Sequence, residues 1–261
     1  MEPQDVEDIL KDSLTLLGEQ NPDFPDDGQL TYGPITVSVA PKEGKANTLL
    51  ADHIFSPSLL IAERIERGLL PVSGRTMIEL GAGAALPTLV AAAQPAPPAL
   101  AVATDHPDPG ILGTLTRNVA RNGGAVRCAP FEWGTDPARL LALAPRGYDI
   151  VVLSDLLHFD RAHGELLDAI GALLARREGA RVVVAAGVYT RAEFCRSFLR
   201  SAEERGIVWV ERGSGEDGRE EDAVWRGAME VRALDRDQLG VRKGMCRWWV
   251  GQWAKTGGAE G

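Results

Sequence analysis

Thr76-Met77-Ile78-Glu79-Leu80-Gly81-Ala82-Gly83-Ala84-Ala85-Leu86-Pro87 is the stretch that decides the fold of this chain. An apolar run of strand type passes directly into a glycine pair, and helix-forming residues follow. Glycine there permits a tight turn and lets backbone N–H groups approach a ligand at the N-terminus of the next helix. A plain strand-to-helix turn also takes glycine, so the loop alone leaves a ligand site and a bare turn equally open. A dinucleotide fingerprint asks for Gly or Ala where Leu86 stands, which counts against a close-packed pyrophosphate turn. Glu79, just ahead of the first glycine, is unexpected beside a phosphate and suits a ligand carrying an ammonium group and a positive centre.

Downstream, short apolar runs alternate with helical patterns, the signature of a parallel sheet covered on both faces. Strands are expected at 75–80, 99–104, 125–129, 148–153, 180–186 and 207–212, and helices at 84–93, 109–122, 161–177 and 190–205. A last strand is expected over 223–234, forming with 207–211 an antiparallel hairpin that closes the sheet, and Trp248, Trp249 and Trp253 predict a packed tail that frays over 256–261. Upstream, apolar spacing predicts a short helix over 5–17, a strand at Ile35, Val37 and Val39, and a helix over 48–68 that Pro57 kinks or splits and Gly68 stops. The domain reading is an N-terminal arm and strand extension over 1–47, one Rossmann-like domain over 48–255 and a flexible tail over 256–261.

The second strand ends at Asp105, where the two oxygens of a carboxylate can accept both hydroxyls of a ribose. The alternative is that Asp105 only caps the turn Asp105-His106-Pro107-Asp108-Pro109, a run dense in turn formers.

Composition narrows the classes. The 261 residues are 44% hydrophobic, enough for one large core, and the formal charge of -9 draws the chain toward neither phosphate backbones nor anionic lipid. No basic n-region, apolar h-region or run of about 18 apolar residues stands out, and the three cysteines have no CxxC spacing. The expectation is a soluble cytosolic or nuclear protein with reduced thiols and no metal site, its His and Cys residues being scattered away from ligand spacing.

Taken together, Leu50-Ala51-Asp52-His53-Ile54-Phe55, Glu79-Leu80-Gly81-Ala82-Gly83, Thr104-Asp105-His106-Pro107-Asp108, Asn118 with Asn122, Phe131-Glu132-Trp133-Gly134 and Ser154-Asp155-Leu156-Leu157 fall in an order that resembles a known family. It is the seven-strand S-adenosylmethionine-dependent methyltransferases, in particular the family-16 group containing protein-lysine methyltransferases and fungal nicotinamide N-methyltransferase-like proteins. The resemblance covers about residues 48–210. It implies an α/β, doubly wound, mostly parallel sheet of order 3-2-1-4-5-7-6 with the seventh strand antiparallel, S-adenosylmethionine at the carboxyl ends of strands one to four, and methyl transfer to nitrogen.

Carried over by that resemblance, Gly81 and Gly83 line the methionine part of the cofactor, with Glu79 supporting their loop. Asp105 holds the ribose, Trp133 covers the adenine, Glu132 faces its exocyclic amine, and Ser154 and Phe55 border the cofactor, Phe55 where many relatives have Trp. Asp155 stands nearest the methyl acceptor. His158 takes a position where lysine-modifying relatives often have an aromatic residue, and it reads either as a base near pKa 6.5 or as a capping or surface histidine. His163 reads as structural. Gly187-Val188-Tyr189-Thr190 replaces a His/Arg/Pro stretch of the relatives, with Tyr189 a substrate-contact candidate. The implied acceptor is a protein lysine, a protein N-terminus or a small-molecule amine. Competing classes are a catalytically silent methyltransferase-like binding protein and a nicotinamide-dependent oxidoreductase, against which Leu86 argues.

Overall fold

A computed structural model describes residues 29–255 apart from 216 and 233, so the helix expected over 5–17 and the tail over 256–261 lie outside the described residues. A seven-stranded sheet forms the centre, with strands β3 (Thr76–Leu80), β4 (Leu100–Asp105), β5 (Arg127–Pro130), β6 (Ile150–Ser154), β7 (Arg181–Gly187), β8 (Ile207–Arg212) and β9 (Cys246–Trp253). Their spatial order is β5-β4-β3-β6-β7-β9-β8, which is the expected 3-2-1-4-5-7-6, and β9 runs antiparallel to both its neighbours. The order reverses beside β3, so the loops leaving β3 and β6 diverge and open a crevice at their carboxyl ends.

Apolar runs are uninterrupted in the central strands because both faces are buried. In β6, Ile150 and Val152 enter one core and Val151 and Leu153 the other. Helices α2 (Ser56–Glu66), α3 (Leu86–Ala92) and α4 (Pro109–Arg121) cover the first face, and α6 (His163–Leu173) and α7 (Ala192–Glu204) the second. Short helices α1 (Gly44–Thr48) and α5 (Ala138–Leu143) lie in connections.

Three sequence expectations change. Residues 48–68 are not one helix: α1 stops at Thr48 and α2 starts at Ser56, with 49–55 irregular between them. Pro57 occupies the first turn of α2, where a missing N–H costs no helical bond. The helix expected over 161–177 opens with a 3-10 turn, Asp160–Ala162, and ends at Leu173.

No strand forms over 223–234, and β9 closes the sheet instead. The alternation in 223–234 reports burial with little pairing, which among the described residues is limited to an antiparallel bridge of Val231 with Tyr32. Trp225 and Val231 are buried, while carboxylates of α2 take the backbone donors that a ladder would use: Glu63 accepts from the Arg226 N–H at 2.6 Å and Glu66 from those of Ala228 and Met229 at 2.5 and 2.7 Å. The buried ammonium of Lys243, in α8 (Arg236–Gly244), lies 3.2 Å from Glu63 and balances its charge.

A hairpin of β1 (Gln29–Tyr32) and β2 (Ile35–Ser38) buries Leu30, Tyr32, Ile35 and Val37 in the first core. Asn118 and Asn122, one helical turn apart on α4, act toward β2 as a neighbouring strand would. Asn118 accepts from the Ser38 N–H (2.9 Å) and donates to the Ser38 carbonyl (2.8 Å), and Asn122 repeats both bonds with Thr36 at 2.9 and 2.8 Å.

Candidate active site

The crevice at the carboxyl ends of β3, β4 and β6 is a cavity of about 320 Å³, within the range of small-molecule sites. Phe55, Glu79, Gly81, Gly83, Asp105, Glu132, Trp133, Ser154, Asp155 and His158 all line it, so ten of the eleven residues singled out from sequence meet at one place. Tyr189 stands behind the wall, 8% exposed, and its hydroxyl donates to Oδ2 of the lining residue Asp155.

Local geometry explains the glycines. Gly81 has φ +56°, and a Cβ there would fall 2.7 Å from a Leu156 methyl and 3.3 Å from the Trp133 ring. Trp133 thus packs against the turn, with Phe159 edge-on to it at 5.9 Å. Three non-glycine residues among those described have positive φ: Leu50 (+54°), Ala85 (+61°) and Asp155 (+63°). Leu50 and Asp155 line the cavity and Ala85 sits between lining residues Ala84 and Leu86, so backbone strain of about 1–3 kcal/mol per residue is concentrated at the site.

Asp105 bonds the turn 105–109 through the His106 N–H but does not do only that, and it does not cap the helix that follows. Asp108 does, accepting from the Gly110 and Ile111 N–H groups at 2.8 and 3.1 Å. Asp105 Oδ2 accepts from the Gly83 N–H (2.6 Å) and Oδ1 from the His106 N–H (2.7 Å), tying the glycine turn to the end of β4. Burial raises its carboxyl above the usual range, against those two bonds.

Glu79, 1% exposed, accepts from the Thr88 N–H (3.1 Å) and the Thr88 hydroxyl. Burial, with Asp105 nearby, pushes it up to about 8 despite those bonds. Asp155, 3% exposed, accepts from the Gly187 N–H (3.0 Å) and the Tyr189 hydroxyl, which couples the mouth of β6 to the loop after β7. Arg247 of β9 holds that loop from below through the Gly187 and Thr190 carbonyls at 3.3 and 3.2 Å.

His158, 7% exposed, is neither the surface histidine nor the base near pKa 6.5 that the sequence left open. Burial, aided by the neighbouring His163, pushes it down to about 3, although the Asp155 backbone opposes the shift, so the ring is a neutral imidazole. It packs on Phe159 with centroids 3.9 Å apart, and Phe159 supplies the aromatic surface one position later than expected. His163 is structural, its Nε2 lying 2.9 Å from the Leu157 carbonyl.

Sequence reasoning missed His53, His106, Phe159 and Glu165 as lining residues. The first three sit inside or beside motifs already quoted and could have been found from that adjacency. Glu165 projects from α6 against Gly134, and no local signal marks it.

The donor set suits a positively charged ligand. Glu79, Asp105, Glu132, Asp155 and Glu165 line the cavity, and among the described residues no lysine or arginine does. Ser154 Oγ and His106 Nδ1 are buried without a hydrogen-bond partner, which a bound ligand would repair. Among the described residues no cluster of His, Cys, Asp and Glu could hold a metal ion, and no helix is long and apolar enough to cross a membrane.

Over 137 residues the chain is 36% identical to the protein N-terminal and lysine N-methyltransferase EFM7 of Gibberella zeae, covering 46% of this chain and 51% of that protein. With the protein of the same name from Candida glabrata it shares 28% over 193 residues, 67% of this chain and 75% of that one. The chain spans about half the length of most of the curated relatives it matches. In fold alone, it resembles a chain of the complex between the Haloferax volcanii Trm112 methyltransferase activator and the putative methyltransferase, with TM-score 0.50 and 13% identity over 76% of this chain and 90% of that chain. A family model described as lysine methyltransferase matches residues 45–205, the stretch that builds the sheet from β3 to β7 and nearly the whole cavity wall, and the chain belongs to that family.

Proposed function

We propose that this protein transfers the methyl group of S-adenosylmethionine to an amine nitrogen of a protein, at a lysine side chain or an N-terminus. One observation carries the reading: among the described residues five carboxyl groups and no cationic side chain line the cavity, and a positive ligand favours the ionised form of each. A sulfonium, the ammonium of its methionine part and a protein amine are all positive, and each is favoured there. A dinucleotide pyrophosphate is disfavoured in the same field, which speaks against a nicotinamide-dependent oxidoreductase.

When bound, S-adenosylmethionine supplies an electrophilic methyl group that leaves with its bonding electrons remaining on sulfur. The chain's own residues orient the partners. Glu79 and the Gly81–Gly83 turn would hold the ammonium end, Asp105 the ribose, and Glu132 with Trp133 the adenine. Asp155, at the mouth of β6 and lining the cavity, is held in place by Gly187 and Tyr189, and its carboxylate aligns an acceptor nitrogen and stabilises its developing charge. The names of the relatives favour a protein acceptor.

Calorimetry with S-adenosylmethionine, S-adenosylhomocysteine and NAD tests the ligand, and tritiated-methyl transfer into protein and metabolite fractions of a lysate tests the acceptor. Binding of NAD in preference to the other two, or label confined to metabolites, sinks the reading.

A further inference from the structure

His53 has no role in the mechanism above, yet it lines the cavity. Its Nδ1 lies 2.8 Å from Oδ1 of Asp52, the histidine side chain being 17% exposed and the aspartate 3%. A buried carboxylate in that position fixes the ring and holds the proton on Nδ1, which leaves Nε2 as the acceptor. The ring stacks on Phe55 at 5.4 Å and 21°, and Phe55 meets Tyr189 at 6.0 Å. Tyr189 in turn bonds Asp155. A continuous line of rings thus links the Asp52–His53 pair to the carboxylate assigned to the acceptor, whereas His158, with its pKa pushed down to about 3, is too weak a base for that task.

We infer that His53, oriented by Asp52, is the base that removes a proton from the incoming acceptor ammonium, an inference that rests on the methyltransferase reading. A lysine amine with a pKa near 10.4 arrives protonated at neutral pH and has no lone pair with which to attack. Nε2 takes one N–H proton and Asp52 stabilises the resulting imidazolium. The freed lone pair forms the N–C bond as the C–S bond breaks, and the C–S electron pair stays on sulfur as a neutral thioether. The positive charge of the sulfonium ends on the methylated nitrogen, and the imidazolium proton leaves to solvent through the exposed part of the ring.

The surroundings of the pair are defined. Arg242 of α8 reaches the Ile54 carbonyl at 3.5 Å, Tyr189 and Asp155 stand beyond Phe55, and Ala51, next to Asp52 in the chain, is buried with Ala46 and Ile111.

The test uses the whole protein, tritiated S-adenosylmethionine and the proteins of a heat-treated yeast lysate as acceptor. His53→Gln lowers the rate about tenfold to a hundredfold at pH 7, and the deficit shrinks toward pH 10 as the amine loses its proton unaided. Calorimetric affinity for S-adenosylmethionine stays within about twofold of wild type, and Asp52→Asn reproduces the pattern at smaller size. A wild-type rate in His53→Gln, a deficit independent of pH, or a deficit matched by lost cofactor affinity in both variants overturns the base. A wild-type protein that binds the cofactor yet labels no protein overturns the methyltransferase reading and the base together.

Discussion

The two halves of the cavity are built differently. On the β3–β4 side the bonds stay within one strand-helix-strand unit: Glu79 is held by Thr88, nine residues on, and Asp105 by Gly83, 22 residues back. On the β6–β7 side Asp155 is held by Gly187 and Tyr189, 32 and 34 residues away, in a loop that Arg247 of β9 then pins. The facing wall, His53 and Phe55, comes from a segment that precedes the first strand of the sheet. The first half therefore reads as a motif, and the second is an assembly of distant segments. On the proposed reading, the difference teaches that cofactor recognition can be local to one unit while acceptor chemistry depends on how far-separated pieces meet.

The largest expected effect falls on the assembled half. Asp155→Asn keeps the shape and removes the charge, so methyl transfer should slow about a hundredfold, or ~2.7 kcal/mol, with affinity for S-adenosylmethionine nearly unchanged. Initial rates beside calorimetry check this, and an affinity that falls in step with the rate would merge the two halves into one.

Asp105→Ala probes the motif half. Unpaired ribose hydroxyls cost ~1–3 kcal/mol, so affinity should fall several-fold to a hundredfold, and turnover at saturating cofactor should recover. Unchanged affinity breaks the ribose assignment.

Glu79 should make binding and folding depend on pH. Its folded pKa of about 8 lies above the unfolded value of 4.5, so its contribution to stability is present below pH 4.5 and is lost as pH rises through 8. A cationic ligand favours the ionised carboxylate. Binding should therefore release close to one proton at pH 7 and about half a proton near pH 8, seen as a buffer-dependent heat in calorimetry. In Glu79→Gln that proton release should disappear and the stability profile should flatten. Release that persists in the variant would assign the proton to another group.

The smallest effect is a control outside both halves. Asn122→Ala removes the side-chain bonds to Thr36 and to the Asn118 carbonyl, which should cost ~1–3 kcal/mol and lower Tm by a few degrees without changing cofactor affinity. A change in affinity would show that the hairpin and the cavity are coupled.

Much of the site was legible because chemistry at a strand end sits next to the apolar run that builds the strand. Glu79, Asp105, Trp133 and Asp155 follow this rule. The local pattern failed where burial has another cause. Residues 223–234 alternate like a strand, yet the backbone donors of Arg226, Ala228 and Met229 go to Glu63 and Glu66 of a helix more than 150 residues earlier, and strand-type pairing is limited to a bridge of Val231 with Tyr32. The environment of His158 was hidden for a related reason: type and spacing are written in the chain, but the burial that holds its ring neutral comes from everything packed around it.

By itself the sequence determined the alternation of strands and helices, the glycine turn, the carboxylates at the strand ends and the family resemblance. Each depends on residues close together along the chain, where apolar period and turn chemistry act directly. Only the tertiary structure decided that the chain over 49–55 lines one cavity with Asp155, that Tyr189 stands behind that carboxylate, and that among the described residues no cationic side chain enters the cavity. Those outcomes depend on which surfaces are excluded from water together, and a charge or an imidazole takes its chemistry from that shared environment.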